Sequence, residues 1–188
     1  MGKKIAIATS NIHKVRELEQ VLSKCSISLQ QVDIPKVEIQ SNDLQLVAIN
    51  AAITAYNALR KPVIVEDAGL FIEALSGFPG SYSSYVYRTI GINGILKLLE
   101  GVDDRRAYFE SVIALAYNKG VISVRGRVYG SIATKPRGSG GFGFDPIFIP
   151  DGSTRTFAEM SLEEKNSYSH RGRAARELCR VIESVEIG

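Results

Sequence analysis

The sequence predicts a mixed α/β fold, and three observations carry that expectation. Through the first half, short apolar runs alternate with stretches of helical periodicity, the signature of strand–helix units. In the second half, two long strand-like stretches, 108–117 and 121–133, are separated only by Asn118, Lys119 and Gly120, which reads as a β-hairpin. Parallel units joined to a hairpin require a mixed sheet. The third observation is composition. The 188 residues are 45% hydrophobic and 23% charged, ordinary for a globular chain with a substantial core. No repeat, low-complexity tract or linker interrupts the chain, so a single domain over 1–188 is expected.

Ile5 to Ala8 reads as a buried strand. It runs into Thr9, Ser10 and Asn11, residue types that favour helix N-caps. Ile12, Val15, Leu18, Val21, Leu22 and Cys25 then recur at helical spacing, predicting a helix over roughly 12 to 24. A strand, a polar turn and a helix N-terminus form a natural anion site, with Lys14 one turn in as a point charge. The alternative is an ordinary capped helix, with His13 solvent-exposed. Residues 27–34 read as a second strand, ended by Pro35. Glu38, flanked by Val37 and Ile39, is either an outward-facing strand residue or a metal-side carboxylate. Asp43 caps the next expected helix, whose apolar face is Leu44, Val47, Ala48, Ala51, Ala52, Ala55 and Leu59.

Val63, Ile64 and Val65 form a buried strand expected to end at Glu66 and Asp67, with Gly69 breaking the chain after the acidic turn. Buried carboxylates cost several kcal/mol unless paired or metal-bound, so two of them at a strand end either enter solvent or hold a hard cation and steer a water. A loop at 77–80 and a Ser/Tyr-rich stretch at 81–87 follow, then a helix over 90–99 with Gly101 as its C-cap.

Beyond the hairpin, Gly138, Gly140, Gly141 and Gly143 let backbone approach a ligand closely. Phe142 and Phe144 sit among them, and exposed aromatics in a mere linker are disfavoured. They either plug the core or face a ligand. Ser161 to Glu164 matches a capping box and opens a short helix carrying Lys165. Ser169 caps the last helix. His170 and Arg171 fall in its first turn, where the helix dipole disfavours cations, which points to a ligand or acidic partner nearby.

Net charge of +3 is too small to argue for nucleic acid or an acidic membrane surface. Cys25 and Cys179 show no metal-type spacing, and each falls on the apolar side of an expected helix. They read as buried thiols in a reducing compartment, without a disulfide. The apolar run at 5–9 is too short for a signal peptide or membrane span, so a cytoplasmic chain is expected.

Taken in order, Thr9-Ser10-Asn11-Ile12-His13-Lys14, Glu38-Ile39-Gln40, Glu66-Asp67-Ala68-Gly69-Leu70, Gly77-Phe78-Pro79-Gly80, Phe142-Gly143-Phe144-Asp145-Pro146, Lys165-Asn166 and Ser169-His170-Arg171-Gly172 resemble the inosine triphosphate pyrophosphatase family. No single piece is specific; the ordered set over 9–172 is. Ala68 stands where many members carry Ser or Thr, and Phe144 replaces a common Tyr. The resemblance implies a long curved mixed sheet flanked by helices, two lobes with a central cleft, and a homodimer. It implies Mg²⁺-dependent hydrolysis of ITP, dITP and XTP to the monophosphate and pyrophosphate, with no nucleic-acid or membrane partner. Asp67 is then the proton acceptor and, with Glu38, a metal ligand. Thr9, Ser10, Asn11 and Lys14 bind phosphate, Lys165 assists, and Ala68 borders the same substrate site. Phe142 stacks on the purine, Gly143 and Phe144 belong to the substrate site beside it, and Asp145, His170 and Arg171 line the base edge.

Residue chemistry agrees with that reading. Water must attack phosphorus while pyrophosphate leaves, and such reactions rest on positioning and electrostatic stabilisation. A donor at the base edge meets a purine 6-oxo but opposes the 6-amino of adenine, and a buried mispaired donor costs about 1–3 kcal/mol. Three other readings remain: a pyrophosphatase for modified pyrimidine nucleotides, a nucleotide sensor without turnover, and an RNA-binding module built on the glycine-aromatic loop with Arg125 and Arg127.

Overall fold

The structure, a computed structural model, describes residues 2–34, 39–185 and 187. Among them, β1 (Lys3–Ala8), β2 (Ile27–Val32), β3 (Val63–Ile72), β4 (Pro79–Gly80), β5 (Arg106–Tyr117), β6 (Gly120–Ile132) and β7 (Phe148–Pro150) form one mixed sheet. Its order is β2-β1-β3-β5-β6-β7, with β4 on the outer part of β3. β1 is parallel to β2 and β3; β3 with β5, β5 with β6, and β6 with β7 are antiparallel. The helices are α1 (Ile12–Leu22), α2 (Leu44–Leu59), α3 (Ser83–Thr89), α4 (Gly91–Leu98), α5 (Leu162–Tyr168) and α6 (His170–Glu183). The expected mixed α/β class is what the chain adopts.

Side-chain alternation along the strands assigns the helices to faces. Ile5, Ile7, Ile64, Ile113, Leu115 and Val124 pack with the apolar stripes of α1 and α6. The intervening Ala6, Ala8, Val63, Val65, Val112 and Ala114 meet the alanine-rich face of α2 on the other side. Each fully buried large aliphatic in these layers contributes roughly 1.5–3 kcal/mol. A third cluster lies further along the long strands: Leu70, Ile72, Phe109, Val128 and Ile132 pack against Val86 of α3, Ile95 of α4 and the rings of Phe144, Phe148 and Phe157. β5 and β6, 12 and 13 residues long, run through both regions. At the strand rise they span about 40 Å.

Four expectations change. First, β3 does not stop at the acids. It continues to Ile72, with Glu66 opposite Ile113 and Asp67 opposite Val112 in β5. Pairing satisfies the backbone, and alternation turns Glu66 to the α1/α6 face behind Ile64, where basic side chains neutralise it. Second, the Ser/Tyr-rich stretch is helical and forms α3, while the helix expected over 90–99 is present as α4. Third, Cys25 and Cys179 are not thiols but a disulfide, joining the turn after α1 to α6 and closing a sequence separation of 154 residues. Helical spacing put both on apolar faces; only the packing of α1 against α6 shows that the faces meet. Fourth, the Ser161 box is half made. Ser161 Oγ accepts from Glu164 N–H, but the Glu164 carboxylate bonds Arg155, and the reciprocal box forms at Thr156 and Glu159 instead. Among the described residues no helix is long and apolar enough to cross a membrane.

Candidate active site

The end of β1 delivers the first wall of a cleft of about 850 Å³. Asn11 caps α1, its Oδ1 accepting from His13 N–H at 3.0 Å and Lys14 N–H at 3.4 Å, while Thr9 Oγ1 accepts from Asn11 N–H at 3.1 Å. The turn therefore exposes a helix N-terminus to the cleft, as the sequence predicts. Lys14 leans across to β3, its ammonium 2.9 Å from Glu66 Oε2 and donating to the Glu66 carbonyl at 3.2 Å. Asp67 is half-buried beside it, its Oδ1 accepting from Ala68 N–H at 3.0 Å.

The glycine-aromatic loop also lines the cleft. At Gly141 φ is +68°, and a Cβ there would sit 2.1 Å from Asp145 Oδ2, so only glycine lets the loop close on that carboxylate. Asp145 Oδ2 in turn accepts from Phe142 N–H at 2.8 Å. Phe142 is half-buried and borders the cleft; Phe144 is buried in the third core cluster, with Tyr87 of α3 edge-on to its ring. The two readings of these aromatics are thus divided between them: one ring faces the cleft and the other plugs the core.

The floor is the start of α6. A Cβ at Gly126 of β6 would lie 2.1 Å from the His170 carbonyl, so that glycine lets α6 press directly onto the sheet. His170 stacks on Phe109 at 4.6 Å, and its buried Nδ1 is unsatisfied. Burial, reinforced by the Arg171 charge, holds this imidazole well below its ordinary pKa and therefore neutral near pH 7. Arg171 donates through Nε to Glu66 Oε1 at 3.0 Å and through Nη1 to Glu17 Oε2. The acidic partner that a cation at this helix position calls for is present twice over.

Lys165 lies where the sequence reading does not put it. It is buried behind the loop, away from Thr9–Lys14 in its bonding, and donates to Glu17 Oε1 at 2.5 Å and Asp145 Oδ2 at 2.6 Å. Its ammonium lies 4.9 Å from the Phe142 ring centroid. Three carboxylates, Glu17, Glu66 and Asp145, and three cations, Lys14, Lys165 and Arg171, thus form one connected network. Burial alone raises the pKa of Glu66 and Glu17. The Arg171 charge, aided by Lys14 at Glu66 and by Lys165 at Glu17, overcomes it and leaves both carboxyls below the ordinary range.

Thr9, Ser10, Asn11, Lys14, Asp67, Ala68, Phe142, Gly143, Phe144, Asp145, His170 and Arg171 all border this one cleft, though they are scattered along the chain. Glu38 lies outside the described residues. Several site residues were missed. Glu17 reads as one more polar helix position, and its only signal is its place one turn after His13 and Lys14. Ser111 is hidden in an apolar strand; its Oγ donates to Glu66 Oε1 at 2.6 Å. His13 is exposed, as expected, yet stacks on Phe142 at 5.3 Å. Tyr85, Tyr87 and Arg88 of α3 border the cleft opposite.

Among the described residues no three His, Cys, Asp or Glu side chains gather into a metal cluster. Mg²⁺ does not require one: it takes one or two carboxylates and completes its shell with water and phosphate oxygens. The Asp67 carboxylate, bordering the cleft near a helix N-terminus, fits that donor chemistry. Arg125 and Arg127 do not form an open basic groove. Arg127 donates to Glu110 at 2.6 Å and lies over Tyr108, while Arg125 lies 3.6 Å from Glu110 and donates to Gln45.

Fold and cleft define a class: a mixed α/β protein in which an anion-suited helix terminus faces an aromatic platform backed by buried charge. The chain belongs to the Ham1 family, whose model matches residues 5–181. It is 62% identical over 176 residues to a dITP/XTP pyrophosphatase of Hyperthermus butylicus, covering 94% of this chain and 93% of that protein. Among solved structures, a HAM1 protein from Coxiella burnetii superposes with a TM-score of 0.86 at 34% identity, over 97% of this chain and all of that one (100%). The Ham1 protein of Staphylococcus aureus superposes with a TM-score of 0.84 at 32% identity, over 97% and 99% of the two chains. The family resemblance of the ordered motifs is borne out.

Proposed function

We propose that this chain hydrolyses deaminated purine nucleoside triphosphates, ITP, dITP and XTP, to the monophosphate and pyrophosphate, and so cleanses the nucleotide pool. The observation that carries the reading is one cleft bordered both by Thr9–Lys14 and Asp67 and by Phe142, His170 and Arg171. Relatives named dITP/XTP pyrophosphatase support it.

The α1 N-terminus and Lys14 bind the phosphates and offset their charge. Asp67 accepts the proton of the attacking water. Asp67 and Glu38 would hold Mg²⁺, which supplies further charge neutralisation at the phosphates when bound. Phe142 stacks on the base, a contact of roughly 1–3 kcal/mol. Arg171, fixed by two carboxylates, presents donor character to a 6-oxo group; the 6-amino group of adenine would oppose it. Nucleotide pools are intracellular, so this reading puts the chain in the cytoplasm. Intracellular proteins of some organisms carry disulfides, so the Cys25–Cys179 bond and that compartment can coexist. Exposed Tyr82, Tyr85, Tyr87 and Tyr129 offer the aromatic surface of a homodimer. Light scattering giving a mass of 20.5 kDa at micromolar concentration would refute the dimer.

The activity is tested by phosphate release over a nucleotide panel, with and without added inorganic pyrophosphatase. Signal for ITP and XTP well above ATP, GTP and CTP, and only with the coupling enzyme, is expected. Direct orthophosphate release, or ATP turned over as fast as ITP, would overturn it. Preference for a modified pyrimidine nucleotide would favour the sibling reading.

A further inference from the structure

We propose that Glu66 is a positioning residue that couples recognition of the base to the reactivity of the phosphate end. This rests on the activity proposed above and deepens it. Of the two adjacent acids in β3, Asp67 faces the cleft, while Glu66 is 1% exposed. A buried carboxylate with no chemistry of its own is costly, so its partners indicate what it does.

Those partners carry different roles in the proposed activity. Glu66 Oε1 accepts from Arg171 Nε at 3.0 Å, at the base end. Glu66 Oε2 lies 2.9 Å from Lys14 Nζ, at the phosphate end. Ser111 Oγ, 2.6 Å from Oε1, fixes the carboxylate's rotation. On the base side the connection continues through Glu17 and Lys165 to Asp145, which accepts the Phe142 N–H. One unbroken series of hydrogen bonds and ion pairs therefore joins the stacking residue to the phosphate-binding lysine. Glu66 is its last anionic link and the immediate chain neighbour of Asp67. Glu66, Arg171, Glu17, Lys165 and Asp145 are buried, and in such an interior these contacts are strong and polarise one another. A 6-oxo purine that engages Arg171 thus settles Glu66, and with it Lys14. A 6-amino purine that repels Arg171 disturbs both. Base identity is then expressed in kcat as well as in KM.

The test uses the full chain and compares kcat and KM for ITP and ATP in wild type, Glu66→Gln and Ser111→Ala, alongside thermal unfolding. Gln keeps the size of Glu but places an amide NH₂ against Lys14 or Arg171, donor to donor, so one of the two links is lost. The kcat ratio of ITP to ATP is expected to fall about tenfold in Glu66→Gln while the KM ratio changes about twofold at most. Ser111→Ala, which leaves every charge in place, should shift the same ratio in the same direction by about threefold. A merely structural Glu66 would lower kcat for both nucleotides by the same factor, and that result would overturn the coupling. So would a change confined to KM. If Glu66→Gln does not fold, Ser111→Ala decides: an unchanged kcat ratio refutes the proposal. Failure of the wild type to prefer ITP would instead refute the activity itself, and the coupling would fall with it.

Discussion

The two ends of the cleft are built on opposite plans. At the phosphate end, Thr9 to Lys14 is one contiguous turn, held by hydrogen bonds between residues two and three apart, and Asp67 is half-open to the cleft. At the base end, Asp145, Lys165, His170 and Arg171 come from three separate segments, are all buried, and are held by partners far away in sequence. Phosphates are strongly hydrated and alike in every nucleotide, so on the proposed function a local, partly wet anion site suits them. Distinguishing one purine edge from another needs donors that water cannot replace, and that requires burial and prearranged charge. The phosphate end should therefore tolerate substitution structurally and fail chemically, whereas the base end should fail structurally as well.

The largest expected effect lies at the phosphate end. Asp67→Asn should lower kcat by at least about 10²-fold, the ordinary worth of a general base, with the thermal unfolding midpoint near wild type. Pyrophosphate release over a Mg²⁺ titration checks it; full recovery at saturating Mg²⁺ would make Asp67 a ligand only. The sharpest structural contrast is Lys165→Met against Lys14→Met. The first leaves Glu17 and Asp145 buried and facing each other without their cation, and should cost roughly 3–5 kcal/mol in denaturant unfolding. The second removes a lysine whose side chain is 16% exposed; it should cost much less stability but more kcat/KM. Equal destabilisation by both would erase the difference between the two ends.

Acid should strike the base end first. His170 is held neutral in the fold by burial and by Arg171, so the unfolded chain binds the extra proton as pH falls below about 6.5, and stability falls with it. Glu66 and Glu17 have folded values below their unfolded ones. Their contribution is full above the unfolded value of about 4.3 and is lost as pH falls from there toward the folded values. Unfolding midpoints should therefore decline in two stages on acidification, and His170→Phe should remove the upper one. A flat profile between pH 7 and 5 in wild type would contradict the buried neutral histidine. The smallest effect belongs to Phe142→Ala. Its ring borders the cleft, so KM for ITP should rise about tenfold, more than kcat falls, with little loss of stability. An unchanged KM with a lowered unfolding midpoint would place the ring in the core beside Phe144.

The sequence by itself determined whatever depends on near neighbours. The Asn11, Asp43 and Ser169 caps, the helical stripe of α2 and the alternation of β6 were all legible, because capping and amphipathic periodicity are decided within a few residues. The ordered motifs also identified many of the residues that border the cleft, among them Thr9, Lys14, Asp67, Phe142 and Arg171. Tertiary structure decided who pairs with whom. Glu66 looked like a strand end until β5 paired past it and alternation turned it toward Arg171. Ser111 carries no local sign of its role and Glu17 only its place one turn after Lys14, Lys165 pairs with two buried carboxylates, and Cys25 found Cys179 across the packing of α1 on α6. A buried charge or thiol is satisfied by contacts in space, and the sequence separation of those contacts is set by sheet register and helix packing, not by any spacing along the chain.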